Sequence, residues 1–505
     1  MHYFTLIAFF GISVGVILGE THLYATEVAI IAVLLSMIQF GFYFFERHTR
    51  RNKKYSLPLI SVIFLIGLVV GILRAQFDEE KSFFVCMSTC TFPATITSSP
   101  ESKGAYQVFT IHHDGDSRDL YDIQVKAALY PRFSFGQNII ISGTVRQPSS
   151  FMEHDGVTYF DYRTYLQLHN VGSEMLYPNI RVVPRGLDDT TLVERLRLMK
   201  DMFVSNISSY VHEPSASLAE GMLFGASSMS EELTQTFRAT GLSHIIVLSG
   251  FNIAILITFV LFVCMFLPLL IRVIVATIFV IFFVLMVGAE MSVVRATLMS
   301  FVTLLALVSG RRYTARQALI ISLILVTLYE PRHLLYDASL HLSFLATAGI
   351  VYLSDRIKIF FTNIPSKTYQ EILTTTLCAY MATLPYLMYT FGSMSPYALL
   401  ANVIVLPLVP LMMFTTFLVV MISPISSSLG VFSGYLTTLL GEGIIFVATK
   451  IEALPFSSVP ISISFWMMAL IYSFMFVVVS FIATRRKNET STTKDEELFS
   501  DVLSY

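Results

Sequence analysis

Apolar segments separated by short polar loops dominate the hydropathy pattern of the chain. About three such segments lie before residue 77, and about nine lie between residues 245 and 484. Most approach the length of about 20 apolar residues that a helix needs to cross a lipid bilayer, although several are short or contain proline. The pattern predicts a polytopic α-helical membrane protein with about 12 transmembrane helices.

Residues 78–187 carry a different pattern. Short segments of alternating apolar and polar residues, such as AYQVFTIHH and NIIISGTV, are separated by turn sequences such as SSPESKG. Alternation with a period of two is typical of strands that bury one face. We therefore expect a small antiparallel β-barrel inserted between two membrane blocks.

The segment after this β-domain combines apolar residues at helical spacing with Arg195, Arg197 and Lys200. Such a pattern predicts an amphipathic helix on the membrane surface, where lipid headgroups are the ordinary partners of the basic side chains and nucleic-acid phosphate is the alternative. The predicted divisions are N-terminal membrane helices at 1–77, the β-domain at 78–187, interfacial helices at 188–227, a second membrane block at 228–484 and a polar tail at 485–505.

Basic loops predict the orientation in the membrane. Lysine and arginine are concentrated in cytoplasmic loops of membrane proteins, and the loop before the third predicted span contains Arg47, Arg50 and Arg51. Alternation from this loop places the later clusters at residues 311–316, 356–358 and 485–487 on the same side. We therefore expect cytoplasmic N- and C-termini, with residues 78–240 outside the cytoplasm.

Composition narrows the range of functions. With 54% hydrophobic and 13% charged residues, the chain is unlike an ordinary soluble enzyme. The formal net charge of −2 means that binding to a polyanion has to come from local groups. The sequence contains neither a GxxxxGK[ST] phosphate loop nor an HxHxDH metal cluster, so we expect no cofactor, no resident metal and no enzymatic activity.

The stretch from Ser228 to Leu256 is the most informative part of the second membrane block. Ser228 and Glu231 have capping-box spacing, which predicts a short helix that ends at Gly241. Ser249, Gly250 and Asn252 then interrupt the apolar run that follows. A helix that restarts there would direct free amides toward an anion such as phosphate; the alternative is that Ser249 and Gly250 only allow close helix packing.

The run ATGLSHIIVLSGFNIAIL in this stretch resembles the signature of the ComEC family, the inner-membrane channel proteins of bacterial DNA uptake in natural competence. Other segments resemble further blocks of that family, in the same order. They are FDYRTYL (160–166), VVRATLMS (293–300), EPRHLLYDASLHLSFLATAGI (330–350) and LLANVIVLPLVP (399–410).

The resemblance implies a bacterial inner-membrane channel component that takes up single-stranded DNA, with an oligonucleotide-binding (OB-like) fold in the β-domain. The family is reported to carry a disulfide in that region, for which Cys86 and Cys90 are the candidates; whether they pair is left open. The polar tail is too short for the metallo-β-lactamase-like domain of many members, so a DNA receptor, an ATP-driven translocase and a nuclease would be separate partners. Several copies could form the pore as a homo-oligomer.

Polar groups inside the membrane block are the candidate lining of a translocation path, because such groups normally face a cavity. The candidates are Arg238, His244, Ser249, Gly250, Asn252, Arg295, His341 and Asn402. We expect Arg295 to be the principal phosphate ligand, since a guanidinium offers forked donors. The alternative for Arg295 is an ion pair with Glu290 at the outer interface.

Aromatic residues of the β-domain could stack on bases, although aromatics in predicted strands more often belong to the core. They are Tyr106, Phe109, Tyr121, Tyr130 and Phe133. Two other functions are compatible with the pattern: a small-solute or lipid transporter that uses the broken helix as its site, and a membrane scaffold for a pilus or DNA-uptake machinery.

Overall fold

A computed structural model defines the fold. It describes residues 7, 10–16, 57–76, 83–103, 106–114, 120–148, 151–152, 159–160, 162–183, 191–225, 229–246, 248–288, 291–308, 315–475 and 477. The second predicted span, Ser228, Glu290 and the polar tail at 485–505 lie outside the described residues.

Two helices of the N-terminal region pack through small residues. Residues 10–16 are helical, and helix α1 spans Leu57–Gln76. A Cβ added at Gly15 would overlap the Leu68 carbonyl, and one added at Gly71 would overlap the carbonyl of Ile12. Close backbone approach through small residues is typical of helix pairs in membranes.

The β-domain is a closed five-stranded barrel. Its elements are β1 (Cys86–Ile96), β2 (Glu101–Lys103), β3 (Tyr106–His113), β4 (Asp122–Ala128), β5 (Asn138–Arg146), β6 (Phe151–Met152), β7 (Tyr159–Phe160), α2 (Tyr162–Leu168), β8 (Val171–Leu176) and β9 (Asn179–Val183). The strands follow the order β1-β3-β4-β8-β5, and β5 pairs with β1 to close the barrel. The predicted barrel is confirmed, but β4 and β8 pair in parallel rather than antiparallel.

Alternation along the strands fills the barrel core. Every second residue of β3 and β4 is buried, including Phe109, Ile111, Ile123 and Val125. Side chains of this size stabilise a fold by about 1.5–3 kcal/mol each when fully buried. The local pattern of the sequence is therefore enough to determine which face of each strand points inward.

Cys86 and Cys90 form a disulfide within strand β1. Cys86 is opposite Val145 and Cys90 opposite Gly143, so the segment between the cysteines bulges out of the ladder. The pairing that the sequence left open is present, and it closes a local bulge that exposes Met87.

The rest of the described chain is helical. The helices are α3 (Leu192–Tyr210), α4 (Ser215–Phe224), α5 (Glu231–Ala239), α6 (Ser243–Ile246), α7 (Gly250–Val263), α8 (Leu269–Val287), α9 (Met291–Val308), α10 (Ala315–Tyr329), α11 (His333–Tyr336), α12 (Ala338–Ile357), α13 (Lys367–Thr390), α14 (Ala398–Val405), α15 (Leu408–Ile422), α16 (Ser427–Glu452) and α17 (Phe465–Met475). A short 3₁₀ helix (Lys358–Phe361) and a two-stranded antiparallel sheet of β10 (Ser393–Met394) and β11 (Val459–Pro460) complete this helical block.

Two helices in the described ranges, α8 and α16, are long and apolar enough to cross a membrane. A third candidate is the pair α14 and α15, which bends by 45° where Pro407 begins the second helix. The predicted number of about 12 spans is therefore not confirmed. Several predicted spans are shorter apolar helices instead, including α7 and α10.

Helix α3 joins the barrel to the helical block. Arg197 donates to the Thr97 carbonyl of the barrel at 2.9 Å, and its guanidinium lies 3.9 Å from the centre of the Phe135 ring. Lys200 is buried and donates to the Val287 carbonyl at the end of α8, where the helix dipole favours a cation. These two basic residues therefore hold elements of the protein together, rather than facing lipid headgroups.

Arg74 has a similar role at the end of α1. Its side chain donates to the carbonyls of Leu328 and Tyr329, at 2.7 and 2.5 Å, which are the last residues of α10. The side chain caps a neighbouring helix instead of extending to the membrane interface. This contact fixes α1 against the helical block.

Candidate functional site

Helix α5 and the turn after it lead into the broken segment. The helix begins after Ser230, whose side chain accepts from the Leu233 amide, so the predicted start at Ser228 is two residues early. The predicted end is confirmed, because Gly241 has a φ of +74°. A Cβ at Gly241 would also lie 2.6 Å from the Cβ of Ala398, so the turn packs directly against α14.

The predicted interruption of the apolar run is present. Helix α6 ends at Ile246, and α7 begins at Gly250 after an extended Ser249. Within the described part of the chain, the amides of Gly250 and Phe251 have no acceptor, and both residues are exposed. The amino end of a 14-residue helix, with its partial positive charge, is thus open at the surface of the helical block.

Asn252 fixes the orientation of α7. It is buried, its Nδ2 donates to the Met222 carbonyl of α4 at 2.9 Å, and its Oδ1 accepts from the Ser249 hydroxyl at 3.2 Å. Both ends of the amide are therefore used inside the protein. Asn252 positions the break; it does not line it.

The apolar core of the helical block surrounds the break. Leu242, Ile245, Ile246 and Leu248 are buried in one cluster with residues of α4, α8, α14, α15 and α16. Because these neighbours hold both sides of the interruption, the discontinuity between α6 and α7 is built into the packing. Non-helical backbone at membrane depth persists only under such conditions.

Arg295 lies on α9, a helix that packs against the start of α7. The two helices meet where a Cβ on Gly250 would be 3.5 Å from the Cβ of Ala296, the residue after Arg295. Arg295 is 4% exposed, its Nη1 is 3.5 Å from the Ser339 hydroxyl and 4.0 Å from Asp337 Oδ2, and its Nε is buried without a partner. The guanidinium is therefore buried and only weakly paired.

Asp337 caps the amino end of α12 opposite Arg295. It accepts from the amides of Ser339 (2.8 Å) and Leu340 (3.2 Å) and from His333 Nδ1 (2.9 Å). Burial alone would raise the pKa of Asp337, but the hydrogen bonds from His333 and Ser339 outweigh burial and hold the pKa well below its usual range. The carboxylate is consequently a fixed negative charge near Arg295.

His341 is bound on both sides of its ring. A carbonyl only accepts, so Nε2 donates to the Leu334 carbonyl at 2.7 Å, and Nδ1 forms a second hydrogen bond of 2.7 Å with the Tyr386 hydroxyl. This network joins α11, α12 and α13. The histidine holds these helices together and has no free nitrogen for a transported anion.

The remaining predicted residues divide into exposed and buried groups. Arg238 and His244 are exposed, at the end of α5 and within α6 respectively. Asn402 on α14 is buried, and its Oδ1 has no hydrogen-bond partner. The fold brings Gly250 against α9, the helix that carries Arg295, whereas Asn252 and His341 are engaged in internal contacts.

Three residues of this region were missed in the sequence. Asp337 and Ser339 face Arg295, and Arg332 donates to the Tyr121 hydroxyl of the barrel at 3.0 Å. The segment Asp-Ala-Ser before an apolar run is a helix-start signal that could have indicated Asp337 as a cap. Nothing local to Arg332 indicates its barrel partner.

Most of the barrel aromatics belong to the core, as the sequence favoured. Phe109, Tyr121 and Phe133 are buried, whereas Tyr130 is 70% exposed. Among the described residues, no group of three histidine, cysteine or acidic side chains could hold a metal ion. The absence of a cofactor and of enzymatic activity stays a prediction.

Sequence comparison identifies the family. The Competence protein family matches residues 222–485, just over half of the chain. The chain belongs to the Competence protein family. The match begins at Met222, the acceptor of the Asn252 amide, and extends over the break, Arg295 and Asp337.

One curated relative extends the comparison to the N-terminal side of the competence region. The ComE operon protein 3 of Bacillus subtilis (strain 168) is 21% identical over 359 residues, which is 69% of this chain and 44% of that protein. The chain thus spans less than half of the length of this relative. No solved structure matches the chain.

Proposed function

We propose that this competence protein is a membrane channel component that admits DNA, as a single strand, across the bacterial cell membrane during natural transformation. The proposed path runs through the helical block past the break between α6 and α7. The proposal joins family membership to one structural observation: the open amino end of α7 packs against α9, the helix that carries the buried and weakly paired Arg295.

The chemistry of this pair of groups suits a phosphodiester. Free amides and the dipole at a helix amino end attract phosphate, and a guanidinium can donate two parallel hydrogen bonds to its oxygens. Both donors read only the backbone of a nucleic acid, so they would accept any base sequence. A path for DNA of arbitrary sequence requires this property.

The barrel is docked on the same block. Arg332, in the loop before α11, donates to the Tyr121 hydroxyl, and Arg197 of α3 bonds to the barrel at Thr97. In the proposed arrangement the barrel lies outside the cytoplasm and receives DNA before it reaches α7. A DNA receptor, an ATP-driven translocase and a nuclease would act as separate proteins, and the channel would contain one copy or several.

Uptake of labelled DNA into competent cells tests the proposal. R295A removes the guanidinium and G250L covers the amino end of α7, so each should reduce uptake at least about tenfold while the protein remains in the membrane. R295K keeps the charge but loses the planar fork, and should retain part of the uptake.

R356A provides the matched control. Arg356 is a partly exposed arginine whose side chain donates to the carbonyl of Tyr352 in its own helix, so its loss should leave uptake unchanged. Normal uptake in both R295A and G250L would refute the path. Normal transformation in a deletion strain would instead favour a solute or lipid transporter or a scaffold.

A further inference from the structure

Arg295 and Asp337 form a long ion pair with no hydrogen bond between the two charged groups. The closest approach, Nη1 to Oδ2, is 4.0 Å, and the Ser339 hydroxyl is 3.5 Å from the same nitrogen. Charge-assisted hydrogen bonds are normally 2.7–2.9 Å long. With Nε also unpaired in its buried position, the guanidinium retains donors for another acceptor.

Asp337 is held in place by other groups. One oxygen accepts from the Ser339 and Leu340 amides, and the other accepts from His333. These hydrogen bonds hold the carboxylate at the amino end of α12 without any hydrogen bond from Arg295. The position of the carboxylate is therefore set by the amides of α12 and by His333, not by Arg295.

We propose that Asp337 is a resident counter-anion, a carboxylate that neutralises Arg295 while no substrate is present and competes with an entering phosphodiester for the same guanidinium. This inference rests on the proposed function. A buried guanidinium without any counter-charge is costly, and a fully formed salt bridge would block phosphate. A carboxylate held about 4 Å away partly neutralises the guanidinium and still leaves it able to bind phosphate. Its competition keeps phosphate binding weak enough for the DNA strand to be released and translocated.

Neutralising Asp337 should therefore tighten the binding of a polyanion. D337N is the suitable change because asparagine caps helices as well as aspartate does, so the start of α12 is retained. D337S provides a second neutral cap if D337N does not fold. We expect binding of a dye-labelled oligothymidine to full-length protein in nanodiscs to tighten on the order of tenfold in fluorescence anisotropy, equivalent to about 1.4 kcal/mol.

Two further variants separate the two proposals. R295Q should weaken oligothymidine binding, and R295Q/D337N should bind like R295Q because the competition needs the guanidinium. If R295Q is weak while both neutral Asp337 variants bind like the parent protein or less tightly, Asp337 is only a helix cap and the proposed path stands. If R295Q binds like the parent, or if no variant binds, the counter-anion and the path through Arg295 both fail.

Discussion

At the scale of single residues, the sequence located the polar groups but did not identify their partners. Arg295 stands out in an apolar segment, and Glu290 was its nearest acidic neighbour along the chain. Among the described residues its charged neighbour is Asp337, which lies after α10 and α11 and caps the start of α12. Asn252 and His341 were predicted to line the translocation path, but both side chains form hydrogen bonds within the protein instead.

Gly241 and Gly250 allow a test at this scale. G241A should destabilise the protein by about 2 kcal/mol, because a left-handed backbone costs a residue with a Cβ roughly 1–2 kcal/mol and the new methyl would meet Ala398. Unfolding in mixed micelles measures the change. G250A is the control: its Cβ would be 3.5 Å from Ala296, an ordinary contact, so the free energy of unfolding should change by less than about 0.5 kcal/mol.

At the scale of elements, helix α3 shows how position changes the role of an amphipathic pattern. Its apolar spacing and basic residues predicted a helix on the membrane surface, and the helix exists with a complete capping box at Thr191 and Glu194. Arg197 and Lys200, however, contact the barrel and the end of α8. The sequence predicted the helix, but the tertiary packing decided that these basic side chains contact other parts of the protein.

Asp201 on the same helix should make the stability of the protein depend on pH. Burial raises the pKa of its carboxyl, and the charges of Lys200 and Arg197 only partly offset this. Since the folded pKa lies above the unfolded value of about 3.9, ionised Asp201 destabilises the fold at neutral pH, and this cost disappears as pH falls through the folded pKa.

D201N should consequently melt at a higher temperature than the parent protein at pH 7, and at the same temperature near pH 4. Thermal unfolding in detergent at several pH values measures this difference. D355N, which changes an exposed aspartate, serves as the control and should show no such trend. An equal difference between D201N and the parent protein at every pH would show that ionisation of Asp201 is not its cause.

At the scale of the whole molecule, exposed apolar side chains indicate which faces meet lipid. Ile271, Ile274 and Ile278 of α8 and Tyr435 and Phe446 of α16 are each 46–65% exposed. Patches of this kind are rare on soluble monomers and are typical of helices in a bilayer. They agree with the family and with the hydropathy of the chain.

Cysteine labelling tests the predicted orientation. In a chain in which Cys264 and Cys378 are replaced by alanine, Y130C on the barrel should react with a membrane-impermeant maleimide in intact cells. F360C, exposed in the 3₁₀ helix between α12 and α13, should react only after permeabilisation. Labelling of F360C in intact cells would reverse the predicted arrangement of the loops.

The sequence by itself determined the features that depend on neighbouring residues. The barrel strands, the turn at Gly241 and the restart of the helix at Gly250 follow from periodicity and from residues with special backbone preferences, and these act over a few positions. The tertiary structure decided the parallel pairing of β4 with β8, the placement of Asp337 opposite Arg295 and the docking of Arg332 on Tyr121. These pairs are distant in the chain and meet only because several helices and strands pack together, and no local pattern of hydrophobic and polar residues encodes such a meeting.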